Sequence, residues 1–73
     1  MSTDVTISED AQGVLESYYN GLYRDYQEHR RLKQYVKAQY AASAMDAMRY
    51  TLRVLGYYFE GSEAEEPWSL IPP

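Results

Sequence analysis

Ala38, Ala41, Met45, Met48, Leu52, Leu55 and Phe59 recur at alternating spacings of three and four, the period of one seam along an α-helix. A second stripe, Tyr40, Ala44, Ala47, Thr51, Val54 and Tyr58, runs beside it, and together they form a face broad enough to meet two neighbouring helices. This spacing predicts a helix over about 35–59. Upstream, Ile7, Ala11, Val14, Tyr18, Leu22 and Tyr26 keep helical spacing across Asn20-Gly21, a dipeptide that marks a turn only where periodicity stops. They predict a helix over about 8–30. Thr6 to Glu9 fits a capping box, and Ser8 followed by Glu9 and Asp10 offers a second cap with acids in the first turn. Gly13 and Gly21 each cost roughly 1 kcal/mol relative to Ala inside a helix, which points to a close neighbouring backbone or a soft helix.

The pattern breaks over 27–34, where Leu32 is the single apolar residue, and a chain reversal is expected near Arg30 to Gln34, centred on Lys33. Folding there pairs residues whose numbers sum to about 66, Val14 with Leu52 and Tyr18 with Met48 among them, and it sets Glu16 beside Arg49 as an ion pair. Gly56 and Gly61 bracket the end of the second helix, and Gly61 is expected to cap it. The expected fold is therefore all-α: an antiparallel helical hairpin over 1–60, dimerising into a four-helix bundle, with an acidic, Pro- and Trp-containing tail over 61–73. The alternative is a three-helix monomer that turns at Asn20-Gly21 and caps a last helix with Ser43 and Asp46.

A chain of 73 residues has room for one small domain, and its lack of Cys removes disulfides and thiolate metal sites as staples. Tight helix packing or oligomerisation remains, so a second copy is the first partner expected. Neither a secretory signal nor a run of ~20 apolar residues occurs, so a cytoplasmic protein without a membrane partner is expected. The net charge of −4 is unevenly spread: the seven Lys and Arg all lie between Arg24 and Arg53. Asp4, Glu9, Asp10 and Glu16 precede that segment, and Glu60, Glu63, Glu65 and Glu66 follow it. Folding at Lys33 puts the basic segment at one end of a rod and most of these acids at the other, so two antiparallel rods would neutralise each other's ends.

The same basic run, with Arg24, Arg30, Arg31, Lys33 and Lys37, forms a candidate anion or nucleic-acid contact, with tyrosines near enough to stack on unpaired bases. Against it stands the solvated tip of a hairpin, favoured by the acidic total. Nine tyrosines suit an interface, and Tyr19, Tyr23, Tyr35, Tyr50 and Tyr57, which lie off the principal seams, are candidate partner contacts, with core or dimer packing the favoured alternative for them too. Trp68, Leu70 and Ile71, set between prolines after an acidic spacer, either dock in another protein's groove or fold back over the open end of the hairpin near Ile7 and Phe59. Asp25 and His29 are four apart, but a metal needs further ligands. The lone histidine and the lack of thiols or a glycine-rich loop leave no catalytic set and no cofactor signature. The function expected is a non-enzymatic protein-interaction or adaptor module. A nucleic-acid-binding regulator acting through 24–37 is the alternative.

Overall fold

The computed structural model describes residues 6–62 and 65–73, and the side chains of all of these except 62, 65 and 66. Ser8 starts the first helix: its backbone is extended and its hydroxyl accepts the Ala11 N–H at 3.2 Å. Helix α1 then runs over Glu9–Arg31, with Glu9 and Asp10 in its first turn and His29, Arg30 and Arg31 in its last, the polarity that the helix dipole favours. Both glycines within it have open space where a Cβ would stand, so no close backbone accounts for either.

Lys33 makes the reversal, with a left-handed φ of 58°. Its N–H donates to the Arg30 carbonyl at 3.0 Å, and the Gln34 N–H donates to the His29 carbonyl at 2.7 Å, the paired bonds of a Schellman cap. Where such a cap usually carries an apolar contact, Gln34 Oε1 and His29 Nδ1 lie 2.9 Å apart. Helix α2, Tyr35–Val54, comes back along α1 and ends in the same motif: Gly56 N–H to Arg53 and Tyr57 N–H to Leu52, both at 2.9 Å. Here the left-handed position, φ 89°, is held by glycine, and Tyr57 packs on Leu52 as the motif prefers.

That cap overturns the all-α expectation. The helix stops at Val54, and the following chain forms two strands, β1 over Tyr58–Ser62 and β2 over Glu65–Ile71, paired antiparallel. The fold is a mixed α/β arrangement of a helical hairpin and a β-hairpin. Gly56, not Gly61, ends α2, because five residues beyond it the chain already lies in the sheet. In β1 and the residue before it, Tyr57 and Phe59 turn inward while Tyr58 and Glu60 face out. In β2, Leu70 turns inward and Trp68 is half-buried, while Pro67 and Ser69 are exposed. This is a strand's period of two. The ladder pairs Tyr58 with Ile71, Phe59 with Leu70 and Glu60 with Ser69, then slips at Gly61, where a Cβ would come within 2.9 Å of the Trp68 ring.

The β-hairpin lies on one face of the helical pair and decides which side of α1 is buried. Ile7, Leu22 and Tyr26 of the expected α1 seam pack against the core, but its middle is displaced by one residue: Tyr19 and Tyr23 are buried and Leu15 partly covered, while Val14 and Tyr18 stand in solvent. Tyr19 stacks on Phe59 with ring centres 3.8 Å apart and meets the Trp68 ring edge-on at 5.8 Å, and Tyr23 meets it at 5.7 Å. Met45 completes this aromatic core. A second cluster, nearer the open end, joins Leu52, Tyr57 and Leu70 with Ile7, Leu15 and Leu55 packed against it. On α2, Ala38, Ala41, Met45 and Leu52 of the expected seam are buried, but Phe59 reaches the core from β1.

Polar groups join the two hairpins. Asn20, 8% exposed, uses its amide like a neighbouring strand: Nδ2 donates to the Trp68 carbonyl at 2.9 Å, and Oδ1 accepts the Trp68 N–H at 2.7 Å. Glu16 accepts the Leu70 N–H at 2.9 Å. The free edge of β2 is thus occupied by two side chains of α1. Asn20-Gly21 is helix interior, as the unbroken periodicity implied and against the three-helix alternative, but one expectation is corrected: Glu16 serves the sheet while Arg49 pairs with Asp46 on its own helix. The tail does fold back on its own chain, yet Trp68 sits beside Tyr19 and Tyr23 rather than over the open end.

Candidate functional site

With 100° between successive residues, the α1 positions opposite its sheet-facing side are Ala11, Val14 and Tyr18, and those of α2 are Lys37, Tyr40, Ala44 and Thr51, while Leu22 and Met48 beside them pack against the aromatic core and Leu55 against the second cluster. The contacts of Asn20 and Glu16 with β2 set the direction, because they occupy the other flank of α1. One face of the helical pair is therefore closed by the β-hairpin, and its opposite is open and apolar over its middle, with Asp25, His29 and Lys37 towards the tip. Val14 is 69% exposed, Tyr18 61% and Tyr40 72%. Just beyond the face on α2, Ala47 is exposed and Val54 is 78% exposed. Single exposed apolar residues are ordinary, but a contiguous band of them along two helices marks an interaction surface.

The expected partner contacts are distributed between core and surface. Tyr19, Tyr23, Tyr57 and Leu70 are buried, so no free surface contains them. Trp68 and Ile71 are half-buried in β2. Tyr35 and Tyr50 are well exposed, Tyr35 on the far side of α2 from Ala44 and Tyr50 about 80° round the helix from Tyr40. The open face is built instead from Val14 and Tyr18, which the heptad reading assigned to the core, and from the second α2 stripe. The signal that would have moved them was the inward pairing of Tyr57 with Phe59 and of Trp68 with Leu70, which requires a sheet on one side of α1.

The basic residues do not converge. Arg31 is bound to Glu28, which lowers the Glu28 carboxyl below its ordinary value through the hydrogen bond, and Arg30 donates to the Tyr26 hydroxyl at 3.3 Å and lies 5.7 Å from that ring's centre. Arg24 lies a full turn and more below them on α1, Lys33 is in the turn, and Lys37 lies on the opposite flank of the hairpin. Tyr23, Tyr26, Gln27, Arg30 and Arg31 border a shallow hollow on α1. The charge separation expected for a rod changes too. The chain reverses at Gly56, so Glu60 lies in β1 opposite Ser69 and not at the open end. Asp4 and Glu63 lie outside the described residues, as do the side chains of Glu65 and Glu66. Glu9 and Asp10 remain at the open end, and Lys33 and Lys37 at the tip.

A cleft of about 250 Å³ opens between the helices near Trp68, bordered by Tyr23, Tyr26, Ala42, Met45 and the Asp46–Arg49 pair, with Tyr19 at its base. The Tyr19 hydroxyl and Trp68 Nε1 are buried there without hydrogen-bond partners. Burial pushes the Tyr19 hydroxyl above its ordinary range; the nearby Arg49 guanidinium pulls the other way and is itself held charged by Asp46. Both orphaned groups are neutral, so the cleft brings together neither a nucleophile with a base nor a set of metal donors. Among the described residues no three His, Cys, Asp or Glu side chains cluster as metal ligands, and no helix is long and apolar enough to cross a membrane. No protein-family model matches this chain, and no similar protein is found among curated sequences or solved structures.

Proposed function

We propose that the protein is a non-enzymatic interaction module of the cytoplasm whose working surface is the open face of its helical hairpin, and whose partner contributes the apolar side of a helix. The supporting observation is that Val14, Tyr18 and Tyr40 are each more than 60% exposed on one side of the molecule, while the other side is closed by a strand pair. Tyrosine supplies large contact area with few rotatable bonds, and Ala11, Ala44 and Thr51 leave shallow recesses between the larger side chains for a partner's knobs. A helix laid in such a groove needs no loop ordering, which keeps the entropic cost of binding low. The cysteine-free composition suits a reducing compartment.

The test is a photoreactive phenylalanine analogue placed singly at Tyr18, Tyr40 or Tyr35 in the full chain within the producing cell. Protein adducts at Tyr18 and Tyr40 with none at Tyr35, on the opposite side of α2, are expected. Adducts at Tyr35 alone, or adducts to nucleic acid near Arg30 and Arg31, would move the working surface elsewhere.

A further inference from the structure

We infer that the helix seated on the open face is that of a second copy of this chain, stacked face to face and antiparallel, so that four helices form the centre and the two β-hairpins the outside. This rests on the open face being the working surface and names its occupant. The first support is size. The α2 helix has 20 residues, about 30 Å of length, and two packed helices present a band about 20 Å wide. A band of those dimensions covers roughly 600 Å² per partner in projection, so the two partners together reach the lower end of the area that a stable dimer buries.

The second support is charge. A face-to-face pair has its two-fold axis in the plane of contact, which leaves two arrangements. With the axis along the rod, the basic tips meet each other. With the axis across the rod, Lys33 and Lys37 at the tip of each copy come level with the first turn of the other's α1, which carries Asp10, Glu9 being turned to the Glu16 flank. Complementary charge selects the second. The third support is the order of side chains: an axis level with Ala47 and Met48 sets Ala44 against the partner's Thr51. These small residues leave room near the middle, and Tyr40 closes over them towards the tip.

Sedimentation equilibrium of the full chain at 1–100 μM, in low and high salt, tests this. A dimer is expected in the micromolar range, with its dissociation constant rising several-fold at high salt; a tip-to-tip pair would tighten instead, because screening relieves like charges. Ala44→Glu should weaken the dimer at least tenfold. Thr51→Glu, at an exposed position whose change leaves the monomer core untouched, should do the same, while Gln39→Glu, exposed and about 140° round the helix from Ala44, should not. The chain lacks Cys, so Ala44→Cys with Thr51→Cys gives a direct reading. These positions are two helical turns apart, about 10.5 Å, too far to bridge within one chain. A disulfide-linked dimer from the double variant is expected, with far less from either single one. A wild-type chain that stays monomeric at 100 μM, or a dimer indifferent to both glutamate variants, overturns the proposal. If the chain is monomeric while Tyr18 and Tyr40 still give protein adducts in cells, the face is a working surface for a different chain and only the second-copy inference fails.

Discussion

The two broad faces of the helical hairpin carry apolar stripes of similar composition and have opposite fates. On one, Tyr19 and Tyr23 lie under Phe59, Trp68 and Leu70, and Asn20 and Glu16 bind the backbone of β2. On the other, Tyr18 and Tyr40 meet solvent. The difference comes less from hydrophobicity than from the polar residues beside each stripe. A strand can be seated only where its outward N–H and C=O groups find partners, and on α1 those partners, Asn20 and Glu16, stand on a single flank. The open face has Asp25, His29 and Lys37 towards one end and no amide or carboxylate along its middle to seat a strand edge, although it can accept the side chains of a helix, which satisfies its own backbone.

The largest test of this contrast replaces one aromatic on each face. Trp68→Ala should lower stability by about 3 kcal/mol, through lost contact with Tyr19 and Tyr23, and drop the thermal midpoint by 10 °C or more. Tyr40→Ala should change the unfolding of the monomer by less than about 0.5 kcal/mol in urea at low protein concentration. Equal costs would mean that the two faces are not different in kind.

Next comes the polar anchor. Asn20→Leu keeps the volume but leaves the Trp68 N–H and C=O without partners, and a loss of about 2 kcal/mol is expected. Hydrogen exchange would show it as faster exchange in residues 65–71 than in the helices. A uniform change over the whole chain would show that Asn20 supports the core generally and does not seat the strand.

Smaller effects adjust the scaffold without touching either face. Lys33→Gly removes the left-handed strain at the first cap and should raise stability by roughly 0.5–1 kcal/mol, which Gly56 at the matching position of the second cap already supplies. This gives a firmer background for measuring the other variants. Smallest at neutral pH is Tyr19→Phe, which removes a buried hydroxyl that has no hydrogen-bond partner; stability within about 0.5 kcal/mol of the parent is expected. Its effect should grow in alkali. The folded hydroxyl titrates above its ordinary value, so its contribution is complete below about pH 10 and is lost as pH rises through the folded value. Chemical denaturation between pH 8 and 11 should show a shallower decline for Tyr19→Phe than for the parent.

The helical hairpin was legible because its determinants are local. Ser8 caps the helix that follows it, the lost amphipathicity around Lys33 marks the reversal, and Ala38 to Leu55 repeat with helical period. The sheet was hidden by an ambiguity in the same signal: Leu55 and Phe59 are four apart and extend the heptad, while Tyr57 and Phe59 are two apart and begin a strand. Gly56 resolves it by breaking the helix between them. The identity of the open face was hidden for a related reason. Val14 and Tyr18 make as good a stripe as Leu15 and Tyr19, one residue apart on one helix, and periodicity alone ranks neither.

What the amino-acid order determined alone was therefore the elements that depend on neighbours a few residues away: the cap at Ser8, the turn at Lys33, the two helices and the uneven placement of charge. What only the tertiary structure decided was which stripe of α1 is buried, and with it which face stays open. That choice rests on contacts such as Asn20 with Trp68, separated by 48 residues, and no local spacing encodes a bond whose partner is reached only after the chain has reversed three times.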